Sequence, residues 1–184
     1  LVAGGTGGHI YPAISTLLFL KGKVDVCIIT DKRGYAYFND INKSITSKEK
    51  FKLIILNSIS PYNKSLVKKI KFFFISIISF FKIFFTFLKL KPNLLIGYGG
   101  YTSVIPCLVA KFLGTKYLIH EQNAVMGRAN KFLERFSSFS LTSFENTIPR
   151  LIHSNKRVFC GVPLREEFVY IKNQNNNHNK RNAF

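Results

Sequence analysis

The sequence predicts an α/β fold in which helices flank a parallel sheet. Short apolar runs alternate with helical stretches along the chain, and two glycine-rich loops each stand between a strand and a helix. Hydrophobic residues make up 47% of the chain and charged residues 20%, which is enough apolar material for a buried core. The length of 184 residues fits one domain with a tail, and the composition excludes disorder for most of the chain.

The strands and helices follow from the position of each apolar run between turn residues. The predicted strands are Leu1–Ala3, Val24–Thr30, Phe51–Leu56, Asn93–Ile96, Lys116–His120, Ser138–Thr142 and Arg157–Phe159. The predicted helices are Ile10–Leu20, Leu66–Leu90, Ser103–Leu113 and Arg128–Phe136. Pro12 suits the first turn of its helix, Pro92 ends the long helix, and Gly114 ends the next one.

The charge of the chain restricts its partners. Lysine and arginine number 27 against 9 acidic residues, giving a net charge of +18 and a pI near 10.0. This excess attracts nucleic acid, phosphorylated substrates or an anionic membrane, although part of it reflects a general bias toward Lys, Asn, Ile and Phe. The three cysteines form no CxxC pair, so they favour a reducing compartment over a disulfide framework or a zinc site.

The two ends of the chain carry separate expectations. Leu1–Ala3 has the pattern of the end of a strand, and no secretory signal peptide is visible. Residues 173–179 are almost all asparagine and cannot contribute to a core. We therefore expect a folded domain over residues 1–165 and a disordered tail over 166–184.

The helix Leu66–Leu90 has an unusual pattern. A stripe about 60° wide contains Lys64, Lys68, Lys71, Lys82 and Lys89. Almost everything else from Phe72 to Leu88 is Phe, Ile or Leu. Three interpretations stay open: a core helix with extra phenylalanine, a helix lying in an anionic membrane interface, and a transmembrane span. Lys82 in the middle argues against a span, and spanning would also place the two glycine loops on opposite sides of the membrane.

The glycine loops are the first candidate site. Gly4-Gly5-Thr6-Gly7-Gly8-His9 lies between a strand and a helix, where close backbone approach and free N–H groups suit a phosphate. The loop is neither a dinucleotide fingerprint, because Ile10 stands where glycine is required, nor a P-loop. A second cluster, Gly97-Tyr98-Gly99-Gly100-Tyr101, follows another strand. Loops at the carboxyl ends of parallel strands share one crevice, so the pair indicates a ligand with a diphosphate.

A polar sequence, His120-Glu121-Gln122-Asn123, closes the strand Lys116–His120. Such residues are costly after an apolar strand unless they are exposed or bind something. His9 and Glu121 both belong at the crevice and could perform acid–base chemistry there. No clustered carboxylate pair is visible in the sequence, so we expect no metal and no cofactor.

These motifs together resemble the amino-terminal half of the MurG family. The matching segments are Gly4–Ala13, Gly97–Tyr101, His120–Ala124 with Gly127, Asn130 and Lys131, and Cys160–Arg165. The resemblance implies a Rossmann-like sheet that forms one half of a GT-B glycosyltransferase. It also implies metal-independent, inverting transfer of GlcNAc from UDP-GlcNAc to lipid I in peptidoglycan synthesis. The expected location is peripheral, on the cytoplasmic face of the bacterial inner membrane, with the Leu66–Leu90 helix on the anionic lipid.

The resemblance also implies residue roles. Contacts to UDP-GlcNAc are expected from Thr6, Gly7, Gly8, Asn123 and Arg165. Contacts to the lipid-linked acceptor are expected from Gly99, Gly100, Tyr101 and Asn130. His9 and Glu121 are the catalytic candidates that would help to deprotonate the acceptor's C4 hydroxyl.

Two departures from the family pattern affect the expected activity. Val162 stands where the family has asparagine, and the donor-binding carboxyl-terminal domain is missing from the sequence. We therefore expect the chain alone to bind the donor poorly and not to turn over. An alternative is a non-catalytic membrane- and acceptor-binding subunit that recruits a separate chain supplying the donor domain. A nucleic-acid binder is disfavoured, because the positive charge is spread over a Phe-rich helix and the tail.

Overall fold

The structure, a computed structural model, describes residues 1–45, 50–57, 66–148 and 157–164, excluding the side chains of 66–69. The helices are α1 (Gly7–Leu20), α2 (Lys32–Ser44), α3 (Leu66–Leu90), α4 (Tyr101–Phe112) and α5 (Arg128–Leu133), the last continued by a 3₁₀ turn at Glu134–Phe136. The strands are β1 (Cys27–Thr30), β2 (Lys52–Ile55), β3 (Leu94–Gly97), β4 (Lys116–Glu121), β5 (Phe139–Thr142) and β6 (Arg157–Phe159). The tail 166–184 and Lys64, which precedes the long helix, lie outside the described residues.

The amino-terminal segment Leu1–Ala3 joins the strands into one parallel sheet. Strands β1 and β2 pair with each other, and β3 to β6 pair in chain order, all in parallel. Val2 pairs with Ile29 of β1 on one side and with Gly97 of β3 on the other. The order is therefore β2, β1, Leu1–Ala3, β3, β4, β5, β6. The order reverses at Leu1–Ala3, so the switch point lies between the two glycine loops, where ligands bind in such sheets.

Helices cover both faces of the sheet and enclose two hydrophobic clusters. On one face Ile83 and Phe87 of α3 pack with Cys107 of α4 and with the strand residues Leu95 and Ile119. On the other face the cluster contains residues of α1 and α2, which include Ile10, Leu17 and Phe38. This three-layer arrangement confirms the predicted α/β class.

Helix α2 is absent from the sequence-based prediction, and the start of α1 was predicted too late. The residues of α2 that face the protein are Gly34, Phe38 and Ile41, a helical spacing that is hard to see among the many polar residues of this segment. The visible signal is Asp31, whose carboxylate caps the helix by accepting from the Gly34 N–H. Helix α1 begins at Gly7, so Pro12 lies in its second turn and not in the first as predicted.

The predicted ends of α3 and α4 are confirmed. Lys91 adopts φ of +47° directly after α3, and Pro92 follows it. Gly114 adopts φ of +73° after α4, and the next amide, of Thr115, donates back to the Ala110 carbonyl. A glycine in the left-handed backbone conformation is the usual end of an α-helix.

Helix α3 buries one narrow face and exposes a broad apolar one. Ser79, Ile83 and Phe87 point into the protein. The outer face is exposed and almost entirely apolar; it consists of Ile70, Phe73, Phe74, Ile77, Ile78, Phe81, Phe85 and Leu88. We call these eight residues the outer face of α3. Ile70–Leu90 is long and apolar enough to cross a membrane. Only 17% of its apolar window is buried, whereas the core helix of a soluble protein is mostly buried.

Candidate functional site

The first glycine loop is held against the second by contacts that only glycine permits. A Cβ on Gly4 would lie 2.5 Å from Oγ1 of Thr102, the second residue of α4. Gly5 adopts φ of +88°, and its N–H donates to Oδ2 of Asp31 at 2.9 Å. Asp31 therefore fixes the first loop with one oxygen and caps α2 with the other.

The imidazole of His9 lies between the two loops. A Cβ on Gly99 would stand 3.2 Å from His9 Nε2, and one on Gly100 would stand 3.5 Å from His9 Nδ1. Both glycines have positive φ, which turns the backbone around the ring. The Thr6 hydroxyl lies 3.3 Å from His9 Nδ1. The ring is half-buried, so a ligand in the crevice can reach it.

Burial lowers the pKa of His9 below its ordinary value of 6.5. A backbone hydrogen bond at Gly4 and the negative charge of Glu121 act in the opposite direction but are smaller. The imidazole is therefore neutral near pH 7 and can accept a proton.

The carboxylate of Glu121 is buried and surrounded by hydrogen-bond donors. Oε1 accepts from the backbone N–H and the side-chain amide of Asn123, at 3.0 and 2.8 Å. Oε2 accepts from the Gly127 N–H and from the Asn130 amide, both at 2.9 Å. Four donors on a side chain that is 1% exposed tie the end of β4 to the start of α5.

Asn130 links this carboxylate to the crevice. Its amide nitrogen donates to Glu121 and to the His120 carbonyl, and it would lie 3.1 Å from a Cβ on Gly99. Its Oδ1 is buried and has no hydrogen-bond partner within the described residues. Such an unpaired acceptor is costly unless something else satisfies it.

His120 connects the polar sequence to residues near the end of the described chain. Its Nε2 lies 3.1 Å from the Gly161 carbonyl, and its Nδ1 lies 3.1 Å from the amide nitrogen of Gln122. This pattern fits a neutral ring that donates through Nε2. Burial lowers the pKa of His120, consistent with a neutral ring.

The structure brings some of the sequence-predicted residues together and leaves others apart. His9, Gly99, Gly100, Glu121 and Asn130 form one connected cluster. The other predicted contact residues lie around it: Thr6, Gly7 and Gly8 at the start of α1, Tyr101 as the first residue of α4, and Asn123 exposed in the turn after β4. Arg165 lies outside the described residues, and Val162 is exposed.

Sequence reasoning missed Asp31. The available signal was an acidic residue directly after a strand, where it can cap a helix and receive a loop N–H. Within the described residues, no group of three His, Cys, Asp or Glu side chains could hold a metal ion.

The switch-point crevice, with two glycine loops around a half-buried histidine, defines a Rossmann-like domain suited to a phosphate-bearing ligand. The chain belongs to the glycosyltransferase family 28 N-terminal domain family, whose model matches residues 1–139. Its fold is that of the amino-terminal half of a GT-B glycosyltransferase, as the resemblance predicted.

Named relatives agree with this family. The chain is 36% identical, over 98% of its length, to the UDP-N-acetylglucosamine–N-acetylmuramyl-(pentapeptide) pyrophosphoryl-undecaprenol N-acetylglucosamine transferase of the Wolbachia strain from Brugia malayi. It covers 47% of that protein, so it spans about half the length of the curated relatives it matches.

Solved structures show the same fold. The MurG of Acinetobacter baumannii superimposes with a TM-score of 0.71 and 26% identity, over 89% of this chain and 45% of that one. A UDP-GlcNAc 2-epimerase from Methanocaldococcus jannaschii gives 0.59 at 16% identity, over 88% of this chain and 44% of that one, and shares the fold alone.

Proposed function

We propose that this chain is the acceptor-binding half of a MurG-type transferase. The reaction transfers GlcNAc from UDP-GlcNAc to the C4 hydroxyl of MurNAc in lipid I, which yields lipid II for peptidoglycan. The observation that carries the proposal is the meeting of both glycine loops around His9, in a chain whose relatives bear this enzyme's name.

The glycine loops would hold the acceptor's diphosphate. Gly7 and Gly8 open α1, where the first N–H groups have no intrahelical acceptor and the helix dipole favours an anion. Gly99, Gly100 and Tyr101 supply the same features at the start of α4. Two such helix starts on one crevice match two linked phosphates better than either start alone.

His9 is the general base in this proposal. Its imidazole takes the proton from the C4 hydroxyl as that oxygen forms a bond to C1 of GlcNAc. The bond between C1 and the UDP oxygen breaks, UDP leaves with the electron pair, and the configuration at C1 inverts. His9 suits this step because its ring lies on the loops and its lowered pKa keeps it neutral.

Glu121 has a positioning role in this proposal, although the resemblance offers it equally as a catalytic residue. Its two oxygens accept four hydrogen bonds, which leaves little capacity to take a proton from a substrate. Its charge lies near enough to His9 to favour the imidazolium that forms during transfer.

Donor contacts extend beyond the described crevice. Thr6, Gly7, Gly8 and Asn123 would touch UDP-GlcNAc from this half, and Arg165 would add a cationic contact from outside the described residues. The remaining donor contacts would come from a second GT-B domain. That domain could belong to the same polypeptide. In the alternative in which this chain is a non-catalytic subunit, it would belong to a separate recruited chain. The intact mass of the native product separates the two arrangements.

The outer face of α3 supports a peripheral location on the cytoplasmic face of the bacterial inner membrane. Its exposed phenylalanines and isoleucines would enter the lipid interface. Lys71 and Lys89 lie exposed along one edge of that face, where their stems can reach anionic head groups. Lys82, on the same edge, donates from Nζ to the Ile55 carbonyl at 2.7 Å. A broad exposed apolar face with lysines along its edge is expected of a helix that lies in a membrane interface.

A chimera tests the proposed function. This chain replaces the amino-terminal half of the Acinetobacter baumannii MurG, and transfer of radiolabelled GlcNAc to lipid I is measured. We expect transfer well above that of the donor half alone. We expect His9→Ala to lower turnover about 10²- to 10⁴-fold while acceptor binding stays near that of the unmodified chimera. The control Phe19→Ala, at an exposed residue of the same helix, should leave turnover unchanged. A folded chimera without transfer would contradict the function, and full turnover in His9→Ala would remove His9 from the mechanism.

A further inference from the structure

We propose that an apolar cavity between α3, α4 and α5 binds the first isoprene units of the acceptor's polyprenyl chain. This inference rests on the proposed function, because it takes the acceptor's diphosphate to lie at the glycine loops. The cavity has a volume of about 280 Å³, and its walls include Phe72, Ile75, Ser76, Val104, Ile105 and Phe132.

The cavity adjoins both glycine loops through Tyr101 and Thr102. Tyr101 and Thr102 line one end of the cavity and directly follow Gly99 and Gly100 of the second loop. Thr102 also contacts the first loop at Gly4. In a polyprenyl diphosphate the hydrocarbon is bonded directly to the phosphate. A chain leaving a diphosphate at these loops therefore meets the cavity at once.

Charge around the cavity matches the same ligand. A second cavity of about 380 Å³ shares Leu56, Asn57 and Ile75 with the first. Lys32, Arg33 and Lys71 line it together with Asp31, which accepts from two backbone N–H groups and forms an ion pair with Arg33 at 3.7 Å. The excess positive charge of this second cavity therefore comes from Lys32 and Lys71. An apolar cavity beside a basic one suits a molecule that joins a hydrocarbon chain to an anionic group.

The cavity is distinct from the outer face of α3. Its wall on α3 is formed by Phe72, Ile75, Ser76 and Ser79, whereas the outer face lies on the opposite side of the row of exposed lysines. The cavity is also small for a whole ligand. It would therefore hold only the start of the chain, and the remainder would continue into the membrane.

Equilibrium binding of two probes tests the inference without any catalytic readout. The probes are inorganic diphosphate and farnesyl diphosphate, the latter below its micelle concentration. We expect farnesyl diphosphate to bind the wild-type chain at least tenfold more tightly. Ser76→Phe fills the cavity and should bring farnesyl diphosphate to within about twofold of inorganic diphosphate.

Thr86→Phe is the matched control. Thr86 and Ser76 both donate to the carbonyl four residues earlier in α3, but Thr86 lies outside the cavity. We expect Thr86→Phe to bind both probes like the wild type. If circular dichroism shows that Ser76→Phe does not fold, Val104→Phe fills the cavity from α4 and replaces it.

The outcomes separate this inference from the proposed function. If inorganic diphosphate binds but farnesyl diphosphate binds no tighter, the cavity assignment is wrong and the glycine-loop site stands. An unchanged farnesyl gain in the folded cavity-filling variant overturns the assignment in the same way. If neither probe binds, both proposals fail. An equal gain from dihexanoyl phosphatidylglycerol, lost in Ser76→Phe, would assign the cavity to bilayer lipid and overturn the polyprenyl occupant.

Discussion

The switch-point edge of the sheet and the outer face of α3 reverse the usual distribution of side chains in opposite ways. At the sheet edge, polar side chains such as Glu121 and Asn130 are almost fully buried. On α3, large apolar side chains such as Phe73, Ile78 and Phe85 are more than half exposed. Each arrangement is costly in an isolated soluble domain, and each indicates a different kind of ligand.

The buried polar cluster is stabilised internally, whereas the apolar face is not. Glu121 receives four hydrogen bonds from its own chain, so its geometry is preorganised before any substrate arrives. The outer face of α3 has no equivalent cover within the described residues. Under the proposed function, the polar reacting groups lie at the sheet edge and the lipid-facing surface lies on the helix.

The largest expected effect comes from removing the buried carboxylate. Glu121→Ala leaves four N–H donors without their acceptor, which should cost about 3 kcal/mol or more of unfolding free energy. Glu145→Ala, at an exposed glutamate in the loop after β5, should change it by less than about 0.5 kcal/mol. Urea denaturation followed by circular dichroism measures both. Equal midpoints for the two variants would contradict the structural role of Glu121.

The next largest effect on stability is expected from a pair of substitutions in α3. Ile83 is fully buried and Ile78 is 67% exposed, although both lie in α3. Ile83→Ala should destabilise the fold by about 2 to 4 kcal/mol, and Ile78→Ala by less than about 0.5 kcal/mol. The same urea experiment measures the difference. A large loss in Ile78→Ala would show that the outer face is covered within the folded chain.

Membrane binding should depend on the exposed residues of α3, in contrast to stability, which depends on the buried ones. Phe74→Asp removes an exposed ring from the outer face of α3, and we expect about tenfold weaker partitioning to phosphatidylglycerol vesicles. Phe19→Asp is the control, since Phe19 is 69% exposed but lies on α1 at the other face of the sheet. Co-sedimentation measures both variants. Equal losses would mean that general hydrophobicity, and not α3, drives binding.

The smallest effect concerns pH. Burial lowers the pKa of both His9 and His120 in the folded chain, whereas in the unfolded chain each keeps its ordinary value of about 6.5. Between the lowered value and pH 6.5, the unfolded chain therefore binds more protons than the folded chain. Stability from these groups is complete above pH 6.5 and is lost as the pH falls through that range. Urea midpoints at pH 7.5 and 5.5 measure this loss, which His9→Gln should reduce. An unchanged pH dependence in His9→Gln would contradict the lowered pKa of His9.

Much of the fold was predictable from local patterns. The apolar runs and the breaks at Pro92 and Gly114 located most strands and helices. Helix α2 was missed, because its inward residues Gly34, Phe38 and Ile41 are outnumbered by polar ones and its start depends on the Asp31 cap. Leu1–Ala3 was predicted as a strand, and its role in joining the two groups of strands required the three-dimensional pairing.

The sequence predicted which residues form the candidate site better than it predicted the role of each residue. Glycine spacing identified both loops, and the polar sequence at the end of β4 identified His120 to Asn123. The sequence could not show that Glu121 is saturated by donors while His9 lies against Gly99, because both facts depend on long-range packing. The same limit applies to the cavity beside Thr102, which is built from three helices distant in sequence.

Amide chemical-shift mapping tests most directly whether the glycine loops bind the acceptor's diphosphate. The ¹⁵N-labelled chain is titrated with a lipid I analogue bearing a two-isoprene chain. We predict the largest shifts at the amides of Gly7, Gly8, Gly99 and Gly100, with a smaller set around the cavity. Shifts confined to the outer face of α3, with the four glycine amides unmoved, would contradict diphosphate binding at the glycine loops.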